Sequence, residues 1–152
     1  MDPHITPFGP ADVEWAAQQL TDAFGAPVVV SRGVLRDPLT LPGFVARSGG
    51  VRVGLVTYHV VDDEFEVVSI HGPGVGGGLL DAAVEQARRM GCRRAWLVTT
   101  NDNVRALRFY QRRGFRLSGV EQDAFDADSG YADDITIDGI PLRDRVWFTQ
   151  TL

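Results

Sequence analysis

The segment His71-Gly72-Pro73-Gly74-Val75-Gly76-Gly77-Gly78 places five glycines in seven positions, directly before a stretch with helical periodicity. Glycine lets the backbone approach a ligand closely and take positive φ. The first N–H groups of the helix that follows have no partner inside it. With the helix dipole they form an anion site suited to phosphate; the plainer alternative is a flexible strand-to-helix turn. About twenty-five residues later Asn103, Ala106, Tyr110 and Arg113 recur at i, i+3, i+7 and i+10, which is one face of a helix. Asn and Arg are poor core residues, so this face suits a polar ligand better than a core with Tyr110 packed inward. Glu64 and Glu66 share one face of a strand and, with His59, are the candidate general bases; charges on a sheet edge are the alternative for each.

The elements that must position these residues follow from pattern. Residues 10 to 24 read as a helix, with Val13, Ala16, Ala17, Leu20, Ala23 and Phe24 at helical spacing, Pro10 in the first turn, and Gly25 and Pro27 as the stop. Val28 to Val30 is a short strand and Leu35 to Pro42 a loop. Gly43 to Arg47, Val51 to Val60 and Glu64 to Ile70 are strands joined by turns at 48–50 and 62–63, short enough to permit only antiparallel neighbours. Leu79 to Met90 is a helix stopped by Gly91, and Ala95 to Thr100 a strand. A second helix, capped by Asn101 or Asp102, runs to about Arg113 and closes at Gly114. Phe115 to Val120 and Arg145 to Leu152 are the last strands. The expected fold is a mixed α/β domain over residues 1–152 with a mostly antiparallel central sheet flanked by helices.

Composition narrows the function. The 152 residues, 44% hydrophobic and 23% charged, suit one soluble domain. No apolar run approaches the roughly 20 residues of a membrane helix, and the N-terminus lacks the basic and apolar regions of a signal peptide, so the expectation is a cytoplasmic protein without membrane contact. Cys92 is the one cysteine and reads as a buried thiol; His4, His59 and His71 lack metal-ligand spacing, so no metal is expected. A net charge of −5 argues against nucleic acid. Every basic residue is Arg, and nine of the fifteen lie between Arg88 and Arg116. Acids follow at Glu121, Asp123, Asp126, Asp128, Asp133, Asp134 and Asp138, a side suited to a cationic ligand.

The phosphate in question is not that of a dinucleotide. Gly72-x-Gly74-x-x-Gly77 formally fits that fingerprint, but the preceding strands form a meander rather than a parallel half. The next strand ends in Thr99-Thr100-Asn101 without an acid for a ribose, and Pro73 removes an N–H from the turn. A phosphate loop of the Walker type needs a Lys, which the chain lacks.

Gly74-Val75-Gly76-Gly77-Gly78-Leu79-Leu80 resembles the pyrophosphate loop of the GNAT acetyltransferases, Q/R-x-x-G-x-G/A, with His71 where that family usually has Gln or Arg. Asn103-x-x-Ala106-x-x-Phe109-Tyr110-x-x-x-Gly114-Phe115 resembles the family's second hallmark. Leu97 to Phe115, with Ile140 to Asp144, is similar to one subgroup of uncharacterised bacterial members. The resemblance implies acetyl-CoA as cosubstrate, with its pyrophosphate on Gly74, Val75, Gly76, Gly77 and Gly78. It implies pantetheine paired along Val68, Ser69 and Ile70 where that strand splays from the parallel strand 95–100. Asn103 would hydrogen-bond the arm, Ala106 would let it pass, and Arg113 would face a phosphate. Tyr110 would protonate the leaving thiolate and Glu66 would deprotonate an amine acceptor, either a small molecule or a protein. A catalytically idle CoA-binding module is the other reading. Members of this fold often pair, so a homodimer is compatible with the resemblance.

Overall fold

The computed structural model describes residues 3–24, 29–31, 34–125, 136–137 and 139–152. In chain order its elements are β1 (His4–Pro7), α1 (Val13–Phe24), β2 (Val29–Ser31), β3 (Val34–Arg36), β4 (Gly43–Ser48), β5 (Val51–Val61), β6 (Glu64–His71), α2 (Gly76–Arg89), β7 (Arg94–Thr100), α3 (Val104–Arg112), β8 (Arg116–Glu121), β9 (Thr136–Ile137), β10 (Ile140–Pro141) and β11 (Arg145–Thr151). Contacts divide the chain into two compact units, Met1–Ala95 with Leu152, and Trp96–Thr151. Strand β7 begins in the first and ends in the second.

The first unit is the expected meander with one addition. β4, β5 and β6 pair antiparallel in sequence order, and β1 adds antiparallel to β4. β1 escapes a pattern reading because four residues ending in Pro7 carry no useful alternation. The stretch 35–42, expected as loop, instead contains β3, paired antiparallel with β2, and a single 3-10 turn at Pro38–Thr40. The opening of β7 lies beside the opening of β6: Arg93 N–H donates to Asp63 O (2.7 Å), and Arg94 ion-pairs with Glu64. Both strands start at that end, so they run parallel, joined by the α2 crossover that such a pair requires.

Helices cover both faces of this unit's strands. On α1, Ala16 and Leu20 stand one turn apart and bury against Leu55 of β5, with Phe8, Trp15 and Leu39 at the margin. On α2, Leu79, Leu80, Ala83, Val84 and Ala87 form the buried stripe. Asp12, 3% exposed, ties the N-terminal segment to the β4–β5 hairpin. It accepts from Gly9 N–H (2.9 Å), Arg47 Nη2 (2.8 Å) and Arg52 Nε (2.8 Å). Burial alone would raise its carboxyl, but that hydrogen bond and the two guanidiniums outweigh it and hold the group below the ordinary value.

The second unit orders its strands β7-β11-β8. β11 and β8 are antiparallel, with a one-residue irregularity at Trp147/Phe148. Its interior gathers Tyr110 of α3 with Phe115 and Phe148, ring centroids 6.0 and 5.6 Å away. Asn101 hangs the chain before β11 in place. Its Nδ2 donates to Pro141 O, and its Oδ1 accepts from the N–H groups of Arg143 and Asp144. Of the acid cluster, Asp126, Asp128, Asp133, Asp134 and Asp138 lie outside the described residues, as do Gly25, Pro27 and Val28 of the α1 stop and the following strand.

Candidate active site

In the first unit, α2 begins earlier than expected. Periodicity started it at Leu79, because glycine is a poor helix former, yet Gly76, Gly77 and Gly78 form its first turn. The first helical bond runs from Leu79 N–H to Val75 O (3.1 Å), so the N–H groups of the three glycines precede any helical partner, and the cap residue Val75 makes no side-chain hydrogen bond to them. Gly74 reaches φ +81°, a conformation side chains resist, to aim the chain into the helix. Val75 was expected among the phosphate donors, but its N–H already bonds Gly72 O (3.1 Å); the available amides are those of Gly76 to Gly78. The turn is seated against β5 at Gly54, where a Cβ would stand 2.7 Å from Val75 Cγ2 and 2.9 Å from His71 O.

Pairing of β5 with β6 decides what faces α1. His59 lies opposite Glu66 and Val61 opposite Glu64, but Thr57 lies opposite Ser69 and Leu55 opposite His71. Val68 is therefore an extra residue, a bulge. Were Val68 instead paired with Thr57 in an unbroken ladder, Ser69 would meet Val56 on the α2 face, because a one-residue slip reverses every side chain. With the bulge, Thr57, His59, Glu66, Ser69 and His71 all share the face on which Leu55 meets α1. Three of the five are enclosed: Thr57 at 0%, Glu66 at 3% and Ser69 at 6% exposure, with the two hydroxyls 2.6 Å apart. Glu66 is thus no edge charge, whereas Glu64 is occupied by its ion pair with Arg94.

In the second unit, Asn103, not Asn101 or Asp102, is the cap of α3: its Oδ1 accepts from Ala106 N–H (3.1 Å). Its Nδ2 remains without a protein partner among the described residues. Ala106 is half-buried and Tyr110 buried on the same side of the helix. The Tyr110 phenol accepts and donates no hydrogen bond among the described residues, and burial pushes its pKa up, so it holds its proton at neutral pH. Arg113 falls one residue beyond α3, its guanidinium 5.2 Å from the centre of the Phe109 ring. Sequence reasoning did not single out Thr57, whose place depends on a pairing no local pattern shows.

The sequence model of the acetyltransferase (GNAT) family matches residues 13–115. The chain belongs to that family. An uncharacterized Bacillus subtilis protein, YdhI, is 34% identical over 152 residues, covering 91% of this chain and 94% of its own. Among solved structures, an "IAA acetyltransferase" from Bacillus cereus superposes with a TM-score of 0.78 at 24% identity, covering 99% of this chain and all of that one. A GNAT family acetyltransferase from Elizabethkingia anophelis, solved with acetyl-CoA bound, gives 0.70 at 21% identity, covering 99% and 98%. The fold is therefore the GNAT fold, an α/β architecture with a mixed, mostly antiparallel sheet and one parallel pair. No helix of the described residues is long and apolar enough to cross a membrane.

Proposed function

We propose that this chain is an N-acetyltransferase that moves an acetyl group from acetyl-CoA to an amine by direct attack. The observation that carries the reading is the bare first turn of α2, three successive glycine N–H groups at the positive end of a fourteen-residue helix. Gly74 and the amides of Gly76 to Gly78 hold the pyrophosphate. The β6 backbone at Val68, Ser69 and Ile70 pairs with pantetheine as an added strand would. Asn103 contributes its uncommitted Nδ2 to the same arm, Ala106 leaves room for it, and Arg113 faces a phosphate. Residues 1–152 act as one domain, a reading supported by a family match that runs through both units.

Glu66 takes the proton that the attacking amine must lose, directly or through water. As the C–N bond forms and the C–S bond breaks, the thiolate leaves beside the Tyr110 hydroxyl. A phenol pushed up by burial is a weaker acid than a thiol of pKa near 8.5. Tyr110 therefore acts chiefly as a hydrogen-bond donor that stabilises the thiolate. Calorimetric titration with acetyl-CoA tests the reading: micromolar binding is expected, lost in Gly76→Glu, which sets a carboxylate where phosphate belongs. Tyr110→Phe keeps that binding and lowers kcat about 10- to 100-fold on an accepted amine, the loss of one hydrogen bond to a charged group. Binding without turnover on any amine would make the chain an idle CoA module, and no binding to folded protein would end the reading.

A further inference from the structure

Strand β8 ends its sheet: β11 pairs with one edge, and no strand pairs with the other among the described residues. All of its residues, Arg116 to Glu121, are exposed. The register with β11 decides which of them share a face. Glu121 lies opposite Arg145, Val120 opposite Val146 and Gly119 opposite Trp147, but Phe148 meets Leu117 and Thr149 meets Arg116. Ser118 is therefore an extra residue. Leu117 and Val120, three positions apart, would point to opposite faces of a regular strand. The extra residue brings them to one face, that of Val146 and Phe148. Those two are buried, at 5% and 0% exposure, whereas Leu117 and Val120 stand open at 53% and 62%. The apolar face of the second unit thus runs to the edge of the sheet and stops on two bare aliphatic side chains. Free edges are commonly guarded by charge, yet between these two stand only Ser118 and Gly119.

The strand is also complementary to itself. Turned antiparallel about Gly119, it sets Arg116 opposite Glu121 of a second copy and Leu117 opposite Val120 of that copy. Strands related by a two-fold axis need both members of each pair on one face, and the extra Ser118 provides this. Arg116 makes no ion pair among the described residues. Glu121 gives Oε2 to Arg145 and keeps half of its side chain in solvent, so Oε1 can take a second cation. We propose that β8 is the pairing edge of a symmetric homodimer, in which a second copy of this chain continues the sheet and covers Leu117 and Val120. It does not depend on the acetyltransferase reading. An edge this short buries less than a standard interface, so the dimer is reversible, with Kd on the order of 1–100 µM.

Sedimentation velocity of the full chain, from about 1 to about 300 µM, is the test. Arg116→Glu and Glu121→Arg each place like charges at both ionic pairs and are expected to raise Kd about tenfold. An equimolar mixture of the two variants makes every such pair opposite again and is expected to associate within about threefold of wild type. Val120→Lys, which charges the open strip, is expected to abolish the dimer and, as a surface change, to leave the Tm of dilute monomer within about 2 °C. A wild type that stays monomeric throughout would overturn the proposal. So would a dimer that none of the variants weakens, or a mixture that associates no better than its components. A markedly lower Tm of dilute Val120→Lys would show that the chain itself covers this edge, and would overturn it too.

Discussion

Substituting Gly54 by Ala tests how the phosphate turn is held. A Cβ at that position would lie 2.7 Å from Val75 Cγ2, 2.9 Å from His71 O and 3.0 Å from Leu79 Cδ1. Carbon atoms reach their optimum separation at about 3.5–4.0 Å, so all three contacts are overlaps. Val75 and Leu79 can rotate away. The His71 carbonyl cannot, because His71 is locked opposite Leu55 in the β5–β6 ladder, so the turn must lift from the strand. Overpacking of this kind costs about 1–3 kcal/mol, which for a chain of this length lowers Tm by about 3–8 °C. Lifting the turn also tilts the amides of Gly76 to Gly78. Loss of one charge-assisted hydrogen bond, about 1.5–3 kcal/mol, weakens acetyl-CoA binding about 10- to 100-fold. Circular dichroism melts and calorimetry well below the melting range read the two effects. A variant within 1 °C and twofold of wild type would refute the claim that β5 seats the loop.

Asp12→Asn should destabilise the protein by about 2–3 kcal/mol at pH 7, less than a fully buried pair because both arginines keep some water. The Asp12 carboxyl is held below its ordinary value in the fold, so its contribution is present above the unfolded value of about 3.9 and is lost as pH falls through the folded one. Urea melts should accordingly show the gap to wild type closing below about pH 4, and a gap constant down to pH 3 would contradict the assignment. For Cys92, burial first and Asp63 second push the thiol up, so a chromogenic disulfide reagent should label it only on unfolding. Prompt labelling of native protein at pH 8 would show it to be accessible.

The parts of this fold visible in the sequence are those with local causes. The meander at 43–71 shows as alternation between tight turns, and the helices end where Gly91 and Gly114 stop them. What stayed hidden depends on distant partners. Asp12 meets Arg47 and Arg52 across 35 and 40 positions, and nothing near Asp12 announces either. The bulge at Val68 exists only relative to β5. Propensity speaks against helix at Gly76 to Gly78, while the packing of Leu79 and Leu80 overrides it. For the site, the glycine turn and the α3 face were legible as motifs. The difference between Glu66, enclosed, and Glu64, tied to Arg94, required the sheet.

The bulge also limits how this segment can change length. Residues 57 to 69 close on themselves with an odd residue out, so the polar set of β6 is divided into two blocks, 64 and 66 before Val68 and 69 and 71 after it. Substitution within either block leaves the other in phase. Deletion of Val68 itself would leave Ser69 opposite Thr57 in an unbroken ladder, so the face survives loss of the bulged residue, whereas deletion of Phe65 or Ile70 would put the two polar side chains of that block on opposite faces. Relatives that retain this face should therefore differ here by substitution or by loss of the bulge, and not by a single residue lost inside a block.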